Sequence, residues 1–287
     1  MPFYIFAWVG SISAGIYVVI SKLTSKYSIS NPWYLNFLWS VVVLVYIIPI
    51  ALINHAGMPH DWVPIMITAL FSSLFNFFLI LSIYLFDVTT LSPLFNFRTV
   101  FAVLLGTFFL KEQLSFFQWA IVGVIVIMGI LATYDEKFSI RTFFKPSILI
   151  GLSAMLFLAL SNAFTKIALV QNDLWTTNVW TYILNFFLTL TTIPLFYKDV
   201  KKIKINQLAS VSIMGFFSAI TNISSSAAYK TNVGVSSIIM SVPFSMIIAF
   251  FLSMLVPKLL EKHTLKVYAI RFIAAIIMIY GALQISK

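Results

Sequence analysis

Arg98 is the side chain in this sequence with the clearest capacity for chemistry. It lies in the middle of an apolar segment that covers residues 89–110, where an unpaired charge costs at least about 2.5–3.5 kcal/mol on insertion scales. All eight acidic residues fall at the ends of apolar segments or between them, so none neutralises Arg98 at that depth. Because a planar guanidinium suits carboxylates and phosphates, one hypothesis is that Arg98 binds an anionic substrate. The other is a structural pin that reaches backbone carbonyls or a loop acid such as Asp87.

Uncharged polar residues recur at helical spacing in several apolar segments. Ser218, Asn222, Ser225 and Tyr229 fall at i, i+4, i+7 and i+11, which places them on one face of a helix. Polar side chains are costly in lipid and usually face a cavity or another helix, although small hydroxylated residues also mark tight helix packing. The first, third, fourth, sixth, eighth and ninth segments carry such stripes. The other four segments are plainer and are predicted to serve as scaffold or lipid contact.

These stripes, together with Arg98, define the predicted substrate site. The predicted substrate contacts are Arg98, Asn96, Asn222, Tyr17, Asn76, Ser225, Ser241 and Asn162. At 100° per residue, Arg98 projects about 130° away from the stripe of Ser92, Asn96 and Thr99, which weakens its assignment as a substrate contact.

Three further residues are assigned to gating or to the mouths of a pathway. Lys22 and Lys166 end the first and sixth segments, where they either snorkel to the membrane interface or flank the two mouths. Pro243 removes a backbone hydrogen bond within the ninth segment and permits a kink, which is either a hinge or a static packing feature.

The sequence offers no constellation of residues for catalysis. It has no cysteine, which excludes disulfides and Cys-ligated metals. The histidines lie in two loops, with His55 and His60 in one and His263 in the other, and lack a third ligand for a metal, so solvated loops are predicted. Without a cluster of titratable groups or an activated nucleophile, an enzyme is disfavoured, and neither a metal nor a cofactor is expected.

The elements that must position these residues are transmembrane helices. The chain is 61% hydrophobic and 9% charged, with a mean hydropathy of +1.02, whereas soluble domains carry roughly 25% charged residues. A crossing helix needs about 20 apolar residues, and lipid leaves open backbone groups without partners. Ten segments are predicted, at 3–21, 33–53, 62–84, 89–110, 116–134, 147–169, 175–196, 207–229, 233–255 and 266–285. The predicted fold class is an all-α integral membrane protein.

The two halves of the sequence repeat. Phe71-Ser72-Ser73 returns as Phe216-Phe217-Ser218, and Trp33-x-x-Asn36 returns as Trp175-x-x-Asn178. Because each half carries an odd number of helices, five, the second half is predicted to be inverted relative to the first, as in many transporters. The two repeats are assigned to residues 1–140 and 141–287.

The charges between segments predict the orientation. Twelve Lys and Arg residues fall on one face and four on the other, and the positive-inside rule places the twelve in the cytoplasm, with both termini outside. These loops account for the net charge of +10, so no nucleic-acid partner is expected. We expect a multi-pass protein of the cytoplasmic (inner) membrane, a monomer or homodimer, whose partners are the lipid bilayer and a small-molecule substrate.

The sequence at the end of the fourth segment and the start of the fifth resembles a pattern found in a known protein family. Their shared features are Gly106, Glu112, Leu114-Ser115, Gly123 and Gly129, and Ser161-Asn162-Ala163-Phe164-Thr165-Lys166 resembles the family's sixth-helix pattern. With these motifs the chain resembles the ten-helix EamA branch of the drug/metabolite transporter superfamily over nearly its whole length. The resemblance implies a secondary transporter, commonly an exporter of amino acids or other small metabolites. It also implies a central cavity lined by the six helices that carry the polar stripes.

The leading hypothesis is a solute transporter that works by alternating access, with substrate bound at the repeat interface. The absence of a mid-membrane carboxylate argues against a proton-coupled exporter of lipophilic cations and fits a carboxylate-bearing or neutral solute, amino acids included. The alternatives are a transporter of sugar phosphates, nucleobases or drugs and, from other classes, a membrane-embedded lipid enzyme, a channel or a scaffold.

Overall fold

A computed structural model of the chain describes residues 2–110, 115–132, 146–200, 204–231, 236, 239–256, 259–260 and 263–285. Within these residues the regular structure is helical. The α-helices are α1 (Phe3–Tyr27), α2 (Pro32–Ile53), α3 (Trp62–Leu85), α4 (Val88–Leu94), α5 (Phe97–Leu110), α6 (Phe116–Ala132), α7 (Pro146–Gln171), α8 (Leu174–Leu190), α9 (Tyr197–Val200), α10 (Ile205–Thr231), α11 (Phe244–Leu255) and α12 (Leu265–Ile285), with a 3-10 turn at Ile193–Leu195.

Five of these helices, α1, α2, α3, α7 and α10, are long and apolar enough to cross a membrane, and shorter apolar helices accompany them. They correspond to the first, second, third, sixth and eighth predicted segments. Their starts follow from capping residues. The Asn31 side chain accepts from the backbone of Trp33 and Tyr34 at the start of α2, and Asp61 caps α3 in the same way, because the first N–H groups of a helix have no partner within it.

The prediction of one continuous helix over 89–110 is wrong, because the chain breaks between α4 and α5 at Phe95 and Asn96. Pro93 supplies no N–H to the helix, and the Asn96 amide donates to the Pro93 carbonyl at 3.2 Å. Local bonds of this kind compete with helix continuation.

The ninth predicted segment is also interrupted. Residues 239–240 are helical, residues 241–243 are not, and α11 begins at Phe244 directly after Pro243. Pro243 therefore stands at the start of a helix rather than at a kink inside one. Residues 233–235 and 237–238 of that segment lie outside the described residues.

The seventh predicted segment, 175–196, ends early, at Leu190. The Thr191 and Thr192 hydroxyls donate to the carbonyls of Leu188 and Thr189, and Pro194 cannot donate to a continuing helix.

Helices from the two halves of the sequence interleave. The most extensive packing pairs α1 with α10, α3 with α7 and α6 with α12, and α2 packs against both α8 and α10. One buried apolar cluster accordingly contains residues of both halves, for example Tyr17, Leu35, Val211 and Met214. The predicted division of the chain at residue 140 falls outside the described residues and stays a prediction.

The junction between α1 and α2 in the first half and the junction between α7 and α8 in the second half make contacts at opposite ends of α2. At the start of α2, the Asn31 amide donates to Asp199 at 2.7 Å and to the Leu195 carbonyl at 3.1 Å. Beyond its other end, the Asn172 side chain between α7 and α8 accepts from the backbone of His60 at 2.8 Å. Since a helix of 22 residues is about 33 Å long, the two junctions lie far apart.

Lys22 does not snorkel to an interface. Helix α1 continues to Tyr27, which leaves Lys22 buried, and its Nζ donates to the carbonyls of Ile83 at 3.0 Å and Phe86 at 2.6 Å. Both carbonyls belong to the end of α3, where the helix itself offers no donors. Lys166, by contrast, is exposed.

A partly buried cluster of charges joins the α3–α4 turn to the second half. The His263 and Asp87 side chains are 2.8 Å apart, and Arg271, which is buried in α12, donates to Thr89. His263 is therefore a structural partner of Asp87 and not the solvated loop residue that the sequence predicts. Burial acts to raise the pKa of the Asp87 carboxyl, but His263, Arg271 and Lys22 together hold that pKa below its ordinary value.

We expect Asp87→Asn to lower the free energy of unfolding by about 1–2 kcal/mol at pH 7, because it leaves buried cations without their carboxylate. The folded-state pKa of Asp87 lies below the unfolded value of about 3.9. The stabilisation is therefore complete above that value and is lost as the pH falls through the lowered folded-state pKa. Thermal unfolding in detergent over a pH series measures this.

Asp61→Asn is the control for this prediction, because asparagine still caps α3. A variant Asp87→Asn as stable as the unmodified protein at pH 7 would show that the cluster contributes nothing to stability.

Candidate functional site

A polar cavity lies at the centre of the bundle, among helices from both halves. It contains about 130 Å³ that the centre of a water molecule can reach, enough for a small solute. Residues of α1, α2, α3, α4, α5, α7, α8 and α10 line it, together with the interrupted segment from Met240 to Ser245.

Seven of the eight predicted substrate contacts line this cavity. They are Tyr17, Asn76, Arg98, Asn162, Asn222, Ser225 and Ser241, and Pro243 joins them. Asn96 does not line it. Its side chain is fully buried and is turned toward the Pro93 carbonyl, so its position supports a role in the helix break. Lys22 and Lys166 also lie outside the lining residues.

The break between α4 and α5 brings Arg98 to the cavity. The expected angle of about 130° between Arg98 and the stripe of Ser92 assumed an unbroken helix. With the chain interrupted after Leu94, both residues line the same space. Arg98 is 4% exposed and lies within electrostatic range of Tyr17 and Tyr229. Asp87, the loop acid considered as its partner, pairs with His263 instead.

The two interrupted segments contact each other at the cavity. Ser92 of α4 and Ser245 of α11 share a buried hydrogen bond between their hydroxyls. Asn96 and Ser241, which lie at the two breaks, are 145 residues apart, the same spacing as the sequence repeat. Discontinuous helices of this kind surround substrate sites in many transporters, and non-helical backbone is tolerated at membrane depth only where it is buried or lines a cavity.

The prediction that the second and seventh segments serve only as scaffold or lipid contact is wrong. Their helices, α2 and α8, supply a whole wall of the cavity, formed by Asn36, Trp39, Ser40, Val43, Thr177, Asn178, Thr181, Tyr182 and Asn185. The signal was present in the sequence, because Asn36 and Ser40 are spaced i, i+4 and Asn178, Thr181 and Asn185 are spaced i, i+3, i+7. Trp39 stacks on Tyr17 with ring centroids 5.8 Å apart.

The chemistry of the lining is neutral except at one point. Serine, threonine, asparagine and tyrosine side chains dominate it, and among the described residues that line the cavity Arg98 alone carries a charge. Such a surface can hydrogen-bond a polar solute and can attract an anion. The described residues of the lining offer no carboxylate for a cationic group.

Comparisons with known proteins agree with this architecture. Residues 1–134 match the model of the EamA-like transporter family. Twenty-seven chains of solved structures match the fold. One of them, titled only "Crystal structure of protein", has a TM-score of 0.61 at 14% sequence identity and covers 95% of this chain and 94% of its own. No curated protein matches the sequence.

Gly15 of α1 gives a test of the close packing around the cavity. A Cβ atom at this position would lie 2.6 Å from the Phe244 Cβ and 2.9 Å from the Ser245 backbone nitrogen. We expect Gly15→Ala to destabilise the protein by about 1–3 kcal/mol, because an overpacked backbone contact cannot relax. Thermal unfolding in detergent measures the effect.

Gly10→Ala on the same helix is the matched control. Its Cβ would meet the flexible end of Met240 at 3.1 Å, which can move aside. Equal losses of stability in the two variants would contradict the assigned contact between α1 and the start of α11.

Proposed function

Because residues 1–134 match the model of the EamA-like transporter family, we propose that this protein is a secondary transporter that moves a small metabolite across the cytoplasmic membrane by alternating access. The observation that carries the proposal is the polar cavity among apolar helices, which both halves line and which holds the buried Arg98. A bundle that served only as a scaffold would have no reason to keep so many polar groups around one space, since each costs free energy when desolvated.

The proposed substrate is an amino acid or a related solute that is neutral or bears a carboxylate, and the proposed direction is export. Among the described residues that line the cavity, Arg98 supplies the one cationic contact. Asn76, Asn162 and Asn222 supply amides that can both donate and accept. The small volume of the cavity and the mostly uncharged side chains that line it favour a small metabolite over a large lipophilic drug.

The proposed architecture is ten spans in two inverted repeats. Support comes from two helix pairs that join the halves, α1 with α10 and α3 with α7. In the proposed repeat α1 is equivalent to α7 and α3 to α10, so exchanging the two halves turns each pair into the other. Further support comes from the matching junctions at opposite ends of α2. Halves related in this way can rock about a central site, opening it first to one side and then to the other.

Flux measurements on the full chain in liposomes test the function. We expect saturable uptake from a panel of labelled amino acids and carboxylates, with competition by unlabelled solute. Arg98→Ala should lower the flux of an anionic substrate by about tenfold or more, because a lost charge-assisted contact is worth roughly 1.5–3 kcal/mol. Lys166→Ala, an exposed cation outside the cavity, is the control and should keep the flux of the unmodified protein. Flux that never saturates would indicate a channel, and no flux across the panel would contradict the proposal.

Labelling of single cysteines tests the inversion, and the chain suits it because it contains no cysteine. We place one cysteine at exposed Ser30, between α1 and α2, and another at exposed Gln171, at the end of α7. An impermeant maleimide should reach these two positions from opposite sides of the membrane, and Gly57→Cys should behave like Gln171→Cys. Labelling of Ser30→Cys and Gln171→Cys from the same side would rule out inverted repeats.

A further inference from the structure

An open groove lies on the flank of the bundle, apart from the polar cavity. It is formed between α1 and α10, helices from the two halves of the sequence, and residues that follow α11 make its third side. It contains about 670 Å³ that the centre of a water molecule can reach. Its apolar lining residues are Ile20, Leu23, Ile213, Val256 and Leu259, and we call it the α1–α10 groove.

The groove is polar at one end and apolar at the other. The Gln207 amide donates to the Ser28 carbonyl at 2.8 Å, so the end of α1 meets the start of α10 there. Ser28 and Asn206 line the groove at that end. Ile20 and Ile213 lie two turns further along the same two helices, about 10 Å away. Ile213 is 51% exposed, so the apolar end is open to the surroundings of the bundle.

Two exposed lysines stand at the polar end of the groove. Lys26 lies in the last turn of α1, where its Nζ donates to the Leu259 carbonyl at 3.3 Å and the Tyr27 hydroxyl donates to the same carbonyl at 2.9 Å. Lys204 directly precedes α10, and its backbone N–H donates to the Gln207 side chain at 3.1 Å. The described residues that line the groove include no carboxylate, so the charge at this end is positive.

An apolar channel with a cationic end suits an amphiphile that has a negative head. Lysine side chains near a membrane surface extend toward the headgroups and attract anionic lipids, and the apolar residues two turns deeper lie where acyl chains would be. A second copy of this chain is a poorer occupant. In a two-fold contact each copy presents the same patch, which would bring the lysines of one copy toward those of the other against their like charge.

We propose that the α1–α10 groove binds an anionic phospholipid, with an acyl chain between Ile20 and Ile213 and the phosphate beside Lys26 and Lys204. A lipid held there contacts both halves of the chain and stabilises the arrangement in which α1 packs on α10. The binding depends on the groove and its charges and not on the proposed transport function.

Thermal unfolding of the full chain in detergent, with added lipid, tests the selectivity. We expect dioleoyl phosphatidylglycerol to raise the Tm by about 3 °C or more, because a ligand that binds only the folded state stabilises it. Dioleoyl phosphatidylcholine, which has the same chains and no net charge, should give less than half of that shift. Glycerol 3-phosphate, which has no chains, should give none. Equal shifts with the two lipids would show only unselective lipid contact, and an equal shift with glycerol 3-phosphate would show only a site for soluble anions. Either result would overturn the proposal.

The double variant Lys26→Gln with Lys204→Gln tests the cationic end. We expect about tenfold or more phosphatidylglycerol to be needed for half of the Tm shift, because both contacts to the phosphate are lost. Lys198→Gln is the matched control, because Lys198 is exposed, lies outside the groove lining, and stands over the Tyr197 ring at 5.7 Å much as Lys26 stands over Tyr27 at 5.4 Å. An unchanged phosphatidylglycerol requirement in the double variant would overturn the proposal.

Ile213→Trp tests the apolar end, because the larger side chain fills the space assigned to the acyl chain. We expect the Tm shift with phosphatidylglycerol to fall to less than half of its value in the unmodified protein. Ile276→Trp, the same change at a 64% exposed position of α12 outside the groove, should keep the full shift. Full shifts in both variants would mean that the lipid is bound elsewhere and would overturn the assignment of the groove.

Discussion

A polar group that cannot reach water must meet another polar group, and this constraint organises the whole bundle. Most of the chain meets it by forming apolar helices whose backbone groups bond to each other. The two interruptions, at residues 95–96 and 241–243, would violate it in contact with lipid. Both occur where the chain borders the central cavity, and the hydroxyls of Ser92 and Ser245 join them there.

The two interruptions correspond by position but differ in chemistry. In the first half Pro93 and Asn96 end one helix and the next one begins with Arg98 in its first turn, whereas in the second half the position equivalent to Arg98 is Pro243. The two interruptions lie at the spacing of the sequence repeat, but among the described residues that line the cavity only those of the first half include a charged one. The charge of the described lining is therefore supplied by one half of the chain.

Helix location and much of the cavity could be predicted from the sequence, because apolar length and the 3.6-residue period are properties of single segments. Those patterns identified five long helices and most of the cavity-lining candidates, such as Asn222 and Ser225. The break at Phe95 could not be predicted in this way, since it depends on Pro93 and Asn96 acting together within an apolar run. The contribution of α2 and α8 was missed because their polar stripes are short and lie in otherwise apolar segments. Only the tertiary packing shows that residues such as Asn36 and Thr181 face the same space.

The expectation that Lys22 snorkels to the membrane interface failed for a related reason. A lysine near the end of a predicted segment is expected to extend toward water, but its true neighbours, the last carbonyls of α3, lie more than 60 residues away in sequence. Its environment is decided by how helices of the bundle meet, which no local pattern reports.

The interleaving of the halves has a consequence for how the protein is made. Since α1 packs chiefly on α10 and α3 on α7, the early helices lack their main neighbours until most of the chain has left the ribosome. Until then, the helix faces that later surround the cavity are covered in the bilayer by lipid or by a helper protein. Assembly is therefore a late event of biosynthesis, and a nascent chain stopped between its halves would present its asparagines and serines to hydrocarbon.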